Sequence, residues 1–248
     1  MPRIPSSLPN GLYRVVRLET AYRAARWDFA EREAARIDAH WAQALAEKPK
    51  LFDGKVLMLR DAEIVATPEG DVFRGSFFDT SFRNFHAWFG FGCPDSDVHN
   101  CFAMAALRAR DGAFLLGEMG DHTMNGGQIY FAAGTPDRND IFGDIVDLAA
   151  SVARELEEET GFAPEQAPPA RGWSVLVSDM KIACIQERRL PFSAAEAEAR
   201  MNAFIARDPE PEFARFHIVA GAQDIDPARM PDFIQTYLRD ALAHTISP

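Results

Sequence analysis

Residues 147–162, DLAASVARELEEETGF, constrain the chain most, because both ends of a single helix are written into them. Asp147 carries a short acceptor side chain suited to the free N–H groups of a first turn, and Gly161 can take the left-handed backbone that closes a helix. At 3.6 residues per turn, Leu148, Ala149, Val152, Ala153 and Leu156 share a stripe able to dock on a sheet, while Ser151, Glu155, Glu158 and Glu159 lie on the strip beside it. Glu157 points elsewhere.

The acids carry the chemical signal. Glu155 precedes Glu158 and Glu159 by three and four residues, a spacing at which like charges cost a helix roughly 0.2–0.5 kcal/mol per pair. The helix C-terminus, which prefers cations, makes the placement worse. A hard divalent cation reverses that penalty, and magnesium, which takes oxygen ligands and keeps waters and substrate phosphates, suits carboxylates on one open helix face. A solvated acidic helix end, with Arg154 offsetting Glu158 one turn on, has the same pattern.

Residues 154–162, RELEEETGF, resemble the second half of the Nudix box, R-E-U-x-E-E-x-G-U with U a bulky apolar residue. Every fixed position is met, Phe162 filling the last. The resemblance implies an α/β fold, a Nudix-like α/β/α sandwich with a mixed sheet. It also implies that Glu155, Glu158 and Glu159 form a metal face for Mg2+, with Mn2+ as a substitute, against a diphosphate linkage whose phosphorus is attacked by water. Glu155, Glu158 and the bracing Arg154 are then the catalytic set. The first half of the box departs from the family, since spacing places Asp140 and Val146 where glycine and glutamate belong. A second alignment takes residues 128–135, QIYFAAGT, as strand and glycine turn, followed by an insertion, PDRNDIFGD. Gly134 becomes the turn glycine, the carbonyl of Ala133 or Gly134 a metal ligand, and Asp144 or Asp147 the replacement for the missing acid, unless that acid is simply absent.

With 248 residues, 47% of them hydrophobic, the chain can bury a substantial core. The expected division is a smaller α+β extension over residues 1–96 and a hydrolase domain over 97–248. A net charge of −11 argues against a broad grip on a nucleic-acid polymer but is compatible with a small nucleotide reached through a metal. Cys93, Cys101 and Cys184 lack metal-ligand spacing; Cys93 and Cys101 can pair only if the protein is secreted, and reduced thiols are the default. The N-terminus lacks the pattern of a signal peptide and no apolar run is long enough to span a bilayer, which together predict a cytoplasmic protein without a membrane partner. A second copy of the chain is an admissible partner.

Along the extension, alternation predicts a strand over residues 11–18, a helix within 20–46, and strands over 55–60, 63–66 and 71–78. Residues 79–91, dense in aromatics around His86, read as a helix whose rings serve mainly as core. Residues 100–108 and 113–117 read as a hairpin with a two-residue Asp111-Gly112 loop. The loop that follows contains Thr123, Asn125 and Gln128, candidate substrate contacts with ordinary loop polarity as the alternative. After the acidic helix come strands over 173–178 and 182–188, a helix over 193–207, a strand over 213–220 and a final helix over 231–243. Glu210 and Glu212, in a proline-flanked turn, are candidates to complete a metal shell or accept a proton, with Glu187 a third. His99, His122 and His217 stand singly and carry no ligand assignment.

The resemblance thus implies a metal-dependent hydrolase that cleaves the pyrophosphate linkage of a nucleoside diphosphate joined to another group. The long extension suggests a nucleotide sugar. The alternative is a catalytically impaired Nudix-like protein that binds a nucleotide and regulates.

Overall fold

The computed structural model describes residues 8–123 and 125–244, which form two mixed sheets and six helices. The first expected strand is two: β1 (Gly11–Val15) enters the larger sheet and β2 (Arg17–Tyr22) the smaller. The helix expected from residue 20 is displaced by β2, because Thr20 and Tyr22 fit a pleated surface and the Thr20 hydroxyl donates to the Val146 carbonyl at 2.6 Å. Helix begins later, as α1 (Asp28–Arg32) and α2 (Ala34–Glu47). Two of the expected strands are one, β3 (Lys55–Thr67), which pairs with β4 (Gly70–Ser81). A bulge between Arg60 and Glu63 carries Asp61 at φ 56°, and Asp61 accepts the Ser76 hydroxyl at 2.9 Å. The aromatic helix is α3 (Phe82–Gly90).

β5 (Asn100–Arg108) and β6 (Phe114–Met119) are joined by a three-residue loop rather than two. The Ala109 N–H donates to the Ala113 carbonyl, and Gly112, at φ 89°, supplies the left-handed residue that such a loop needs. These strands pair only at Leu107–Leu115 and Arg108–Phe114, then separate. β7 (Ile129–Tyr130) continues on β6, and β8 (Ala132–Gly134) on β5, so the sheet forks.

The inserted segment holds a 3-10 turn (Arg138–Asp140) and the hairpin β9 (Ile141–Phe142) and β10 (Ile145–Val146), turned at Gly143 with φ 67°. Then follow α4 (Leu148–Thr160), β11 (Trp173–Ser178), β12 (Lys181–Arg189), α5 (Ala194–Ile205), β13 (Phe213–Val219) and α6 (Asp232–Ala243).

The larger sheet runs β1-β11-β12-β5-β6-β13, with β5 and β12 parallel; the smaller runs β3-β4-β2-β10-β9, with β2 and β4 parallel. Period-two alternation along β5 sends Cys101, Ala103, Ala105 and Leu107 into a core with Val152 and Leu156 of α4 and Met201 of α5. Met104 and Ala106 face Ile234, Tyr237 and Leu238 of α6. The expected mixed sheet between helical layers is therefore present. In the smaller sheet, Met58 and Phe78 meet Trp27, Phe29, Ile37 and Trp88, while Leu57, Leu59, Phe73 and Phe77 join the α4 core. Two pairings, β1 with β11 and β10 with β2, cross the boundary drawn at residue 96.

The Cys93–Cys101 pair, admitted only for a secreted protein, is not formed. All three cysteines are free, and the close approach is between buried Cys101 and Cys184, whose sulfurs are 3.9 Å apart on neighbouring strands. Among the described residues no helix is long and apolar enough to cross a membrane.

Candidate functional site

α4 is capped as its sequence predicts: Asp147 Oδ1 accepts the N–H groups of Ala149 and Ala150 at 3.0 and 2.9 Å, and Gly161 lies at φ 74°. Its docked stripe is rotated toward the acids. Leu148, Val152 and Leu156 are buried as expected, but so are Ser151, Glu159 and Thr160, while Ala149 is exposed. The rotation follows from β8, which lies against this side of the helix. A Cβ on Gly134 would fall 2.0 Å from Glu155 Oε1, so only a bare backbone lets that carboxylate approach. One turn on, Glu159 Oε2 accepts the Ala133 N–H at 2.9 Å.

Burial dominates the electrostatics of this pair. It pushes the Glu155 carboxyl up to about 7, against the pull of Arg154 and with help from the charges of Glu158 and Glu212. Glu159 is raised well above the ordinary range by burial, then by Glu212 and Glu155. Glu212 is thus the carboxylate neighbour that acts on Glu159 most strongly. Glu158 is different: its side chain is 61% exposed and meets Arg154 Nη1 at 3.4 Å. The inner cluster is therefore Glu155, Glu159 and Glu212, with Glu158 on its rim. Glu210 turns away and pairs with Lys50 at 2.6 Å. Among the described residues, no three His, Cys, Asp or Glu side chains already surround a single cation position.

Arg154 ties the rim together. Its Nη1 lies 2.7 Å from Glu155 Oε1, and its Nη2 lies 3.3 and 3.4 Å from the two oxygens of Asp140, a side chain only 3% exposed. Neither acid expected to replace the missing glutamate meets Arg154, for Asp147 caps the helix and Asp144 is exposed. Asp140, which in the sequence is only the mismatch to the family's glycine, is the acid that meets Arg154. It also anchors the helix start, its carbonyl accepting the Asp147 N–H at 2.8 Å.

A cavity of about 450 Å³ opens in the fork of the larger sheet, with Ala133, Gly134 and Glu159 in its wall. Phe82, Phe85, His86 and Phe89 of α3 form one wall, so the aromatic helix expected mainly as core also lines the cavity. His86 Nδ1 and His40 Nε2 are 2.9 Å apart, joining α3 to α2 beside it. Of the three loop candidates, Asn125 lines the cavity; Gln128 accepts the hydroxyl of the lining Tyr130 at 2.7 Å; Thr123 bonds the Gly120 carbonyl at 2.9 Å and is not in the wall. Glu187 pairs with Arg108 and Arg189, and His217 with Glu118.

No protein-family model matches the sequence, nor does any curated protein. Solved structures do. The chain is similar to a MutT protein from Methanosarcina mazei Go1 at 16% identity and TM-score 0.40, over 60% of this chain and 96% of that one. It is similar to the NUDIX domain of Shewanella oneidensis NrtR complexed with ADP ribose at 12% identity and TM-score 0.39, over 65% and 98%. Full NrtR from the same organism, complexed with a 27mer DNA, matches at 15% identity and TM-score 0.38, over 58% and 61%. These neighbours are Nudix proteins.

Proposed function

We propose that this chain is a Nudix-type pyrophosphohydrolase, dependent on Mg2+ or Mn2+, that cleaves the diphosphate linkage of a nucleoside diphosphate joined to another group. The observation that carries the reading is the approach of Glu155 and Glu159 to the backbone of Gly134 and Ala133, with Glu159, Ala133 and Gly134 in the wall of a cavity and Glu212 acting on both acids. The donor set fits a hard cation. Its oxygens are carboxylate oxygens, and their crowding and burial raise Glu155 and Glu159, a penalty that a cation would relieve.

When bound, a divalent ion supplies charge neutralisation at the diphosphate oxygens and lowers the pKa of a coordinated water. Glu155, Glu159 and Glu212 would hold it, Glu158 would add charge from the rim, and Gly134 keeps the strand close. Arg154 fixes the orientation of Glu155, and Asp140 fixes Arg154. The attacking water's proton would go to a member of the carboxylate cluster. The cavity excludes solvent from the organic half of the substrate. A nucleotide sugar is the substrate we favour within this class, in a cytoplasmic protein that takes no nucleic-acid polymer.

The test is a hydrolysis screen over nucleotide sugars, dinucleotide cofactors and nucleoside triphosphates, with magnesium and then with chelator. Magnesium-dependent turnover lost in Glu158→Gln and Glu159→Gln, with the fold intact, supports the enzyme; chelator-resistant turnover rejects the site. Buried Val146, where the family carries its lead-in acid, favours a second reading as a nucleotide-binding regulator. That reading predicts thermal stabilisation by nucleotides without turnover.

A further inference from the structure

Resting on that reading, we propose that the forked cavity holds the base of the nucleotide, and a base whose outer edge presents a ring carbonyl beside a ring N–H. Glu159, Ala133 and Gly134 line the cavity, so an occupant beside them is the group attached to the diphosphate. Register sets its length. Gly134 lies opposite Ala103 on β5, and Lys181 lies opposite Asn100, so the far end is three residues away. At the strand rise that is about 10 Å, the reach from a phosphate through ribose to the outer edge of a base.

The walls suit a planar ring. Phe82, Phe89, Phe102, Tyr130, Phe131 and Phe233 surround the space and offer faces and edges to an aromatic heterocycle. The far end is polar. Lys181 places Nζ 5.1 Å from the centroid of Phe89 and has no ion-pair partner among the described residues. Asn100 also lines the cavity and, opposite Lys181 in the strand register, sets a carboxamide near the ammonium. A hydrocarbon chain would desolvate both groups and satisfy neither. The edge of a base satisfies them. An ammonium only donates, so it calls for a carbonyl, and a carboxamide offers a donor and an acceptor to a carbonyl and a neighbouring N–H. Uracil and guanine carry that edge; adenine, with an amine and no carbonyl, does not. Because α2 and α3 supply His40, Phe82 and Phe89, the N-terminal elements take part in base selection.

Calorimetric titration in magnesium buffer with UMP, GMP, AMP, ribose 5-phosphate and octyl phosphate tests this. UMP or GMP should bind at least tenfold more tightly than the other three, and Asn100→Ala and Lys181→Met should each reduce that preference below threefold with unchanged circular dichroism. Lys181→Met keeps the apolar stem and spares the fold. Octyl phosphate, ribose 5-phosphate or AMP binding as tightly as UMP and GMP overturns the proposal, as does an unaltered preference in both variants. The two failures separate: absence of magnesium-dependent turnover with base preference intact rejects the hydrolase reading alone, and turnover with no base preference rejects the base site alone.

Discussion

The carboxylate of Asp140 lies 3.3 Å from Nη2 of Arg154 and links the inserted 3-10 turn to the acidic helix. Burial raises the Asp140 pKa despite the Asp137 amide and Arg154, so the ionised acid is held there by its surroundings at some cost. Its contribution is placement. Asp140→Ala removes the acceptor for both the Asp137 N–H and Arg154, and should cost about 1–3 kcal/mol in urea unfolding. Asp140→Asn keeps one acceptor oxygen and should cost less than about 1 kcal/mol. Both should lower kcat at saturating magnesium, since Arg154 no longer holds Glu155 in register. Wild-type kcat in both variants would deny Asp140 its positioning role.

Gly134 and Glu155 should prove coupled. The 2.0 Å clash of an added Cβ with Oε1 forces the carboxylate or the strand to move, which overpacking data put at about 1–3 kcal/mol. Gly134→Ala should therefore lose both stability and turnover. Adding Glu155→Ala removes the obstructing atoms, so the double variant should be more stable than the sum of the single effects predicts. Strict additivity in denaturant melts would show that the strand does not feel this side chain.

The parts legible in the sequence are those decided locally. Asp147, Gly161 and the apolar stripe of α4 specify a capped helix within a few turns, whatever surrounds it. Asp140 was missed because its partner is chosen by a 3-10 turn and hairpin that no helix or strand period announces. Thr20–Tyr22, the second half of β2, fall where the sequence predicts helix, because their strand identity is settled by parallel pairing with β4, a contact more than 50 residues distant. Glu212 was named but not separable from Glu210; which of them turns inward depends on a loop packed near Gly120 and Lys50. The cavity is a product of the β5–β6 fork, and Phe82 and Phe89 carry no mark in the sequence that tells lining from core.

Acid should weaken the fold through Glu118. Its pKa is lowered from 4.5 to about 2, first by the Arg215 hydrogen bond, against burial, and then by His217 and Arg229. The folded chain holds fewer protons than the unfolded chain in that interval. The resulting stability is fully present above pH 4.5 and lost as pH falls toward 2. Urea midpoints measured from pH 6 to 2 should decline over this window, and Glu118→Gln should flatten that part of the curve while lowering the plateau. An identical slope in the variant would assign the acid sensitivity elsewhere.

The inner acids give the opposite sign. Glu155 is raised from 4.5 to about 7, so between these values the folded chain holds the extra proton and its stability falls as pH rises. Without metal, the melting temperature should therefore drop between pH 5 and 8. Millimolar magnesium should restore it most at the upper end, because a ligand that binds only the folded, ionised cluster stabilises by mass action. Glu155→Gln should melt higher than the wild type at pH 8 without metal, lose the magnesium-induced rise, and hydrolyse no substrate. Glu158→Gln, altering an exposed carboxylate, should leave the metal-free melting temperature nearly unchanged and still lose turnover. A metal-free melting temperature that is flat with pH and indifferent to magnesium would leave the cluster without a cation to hold.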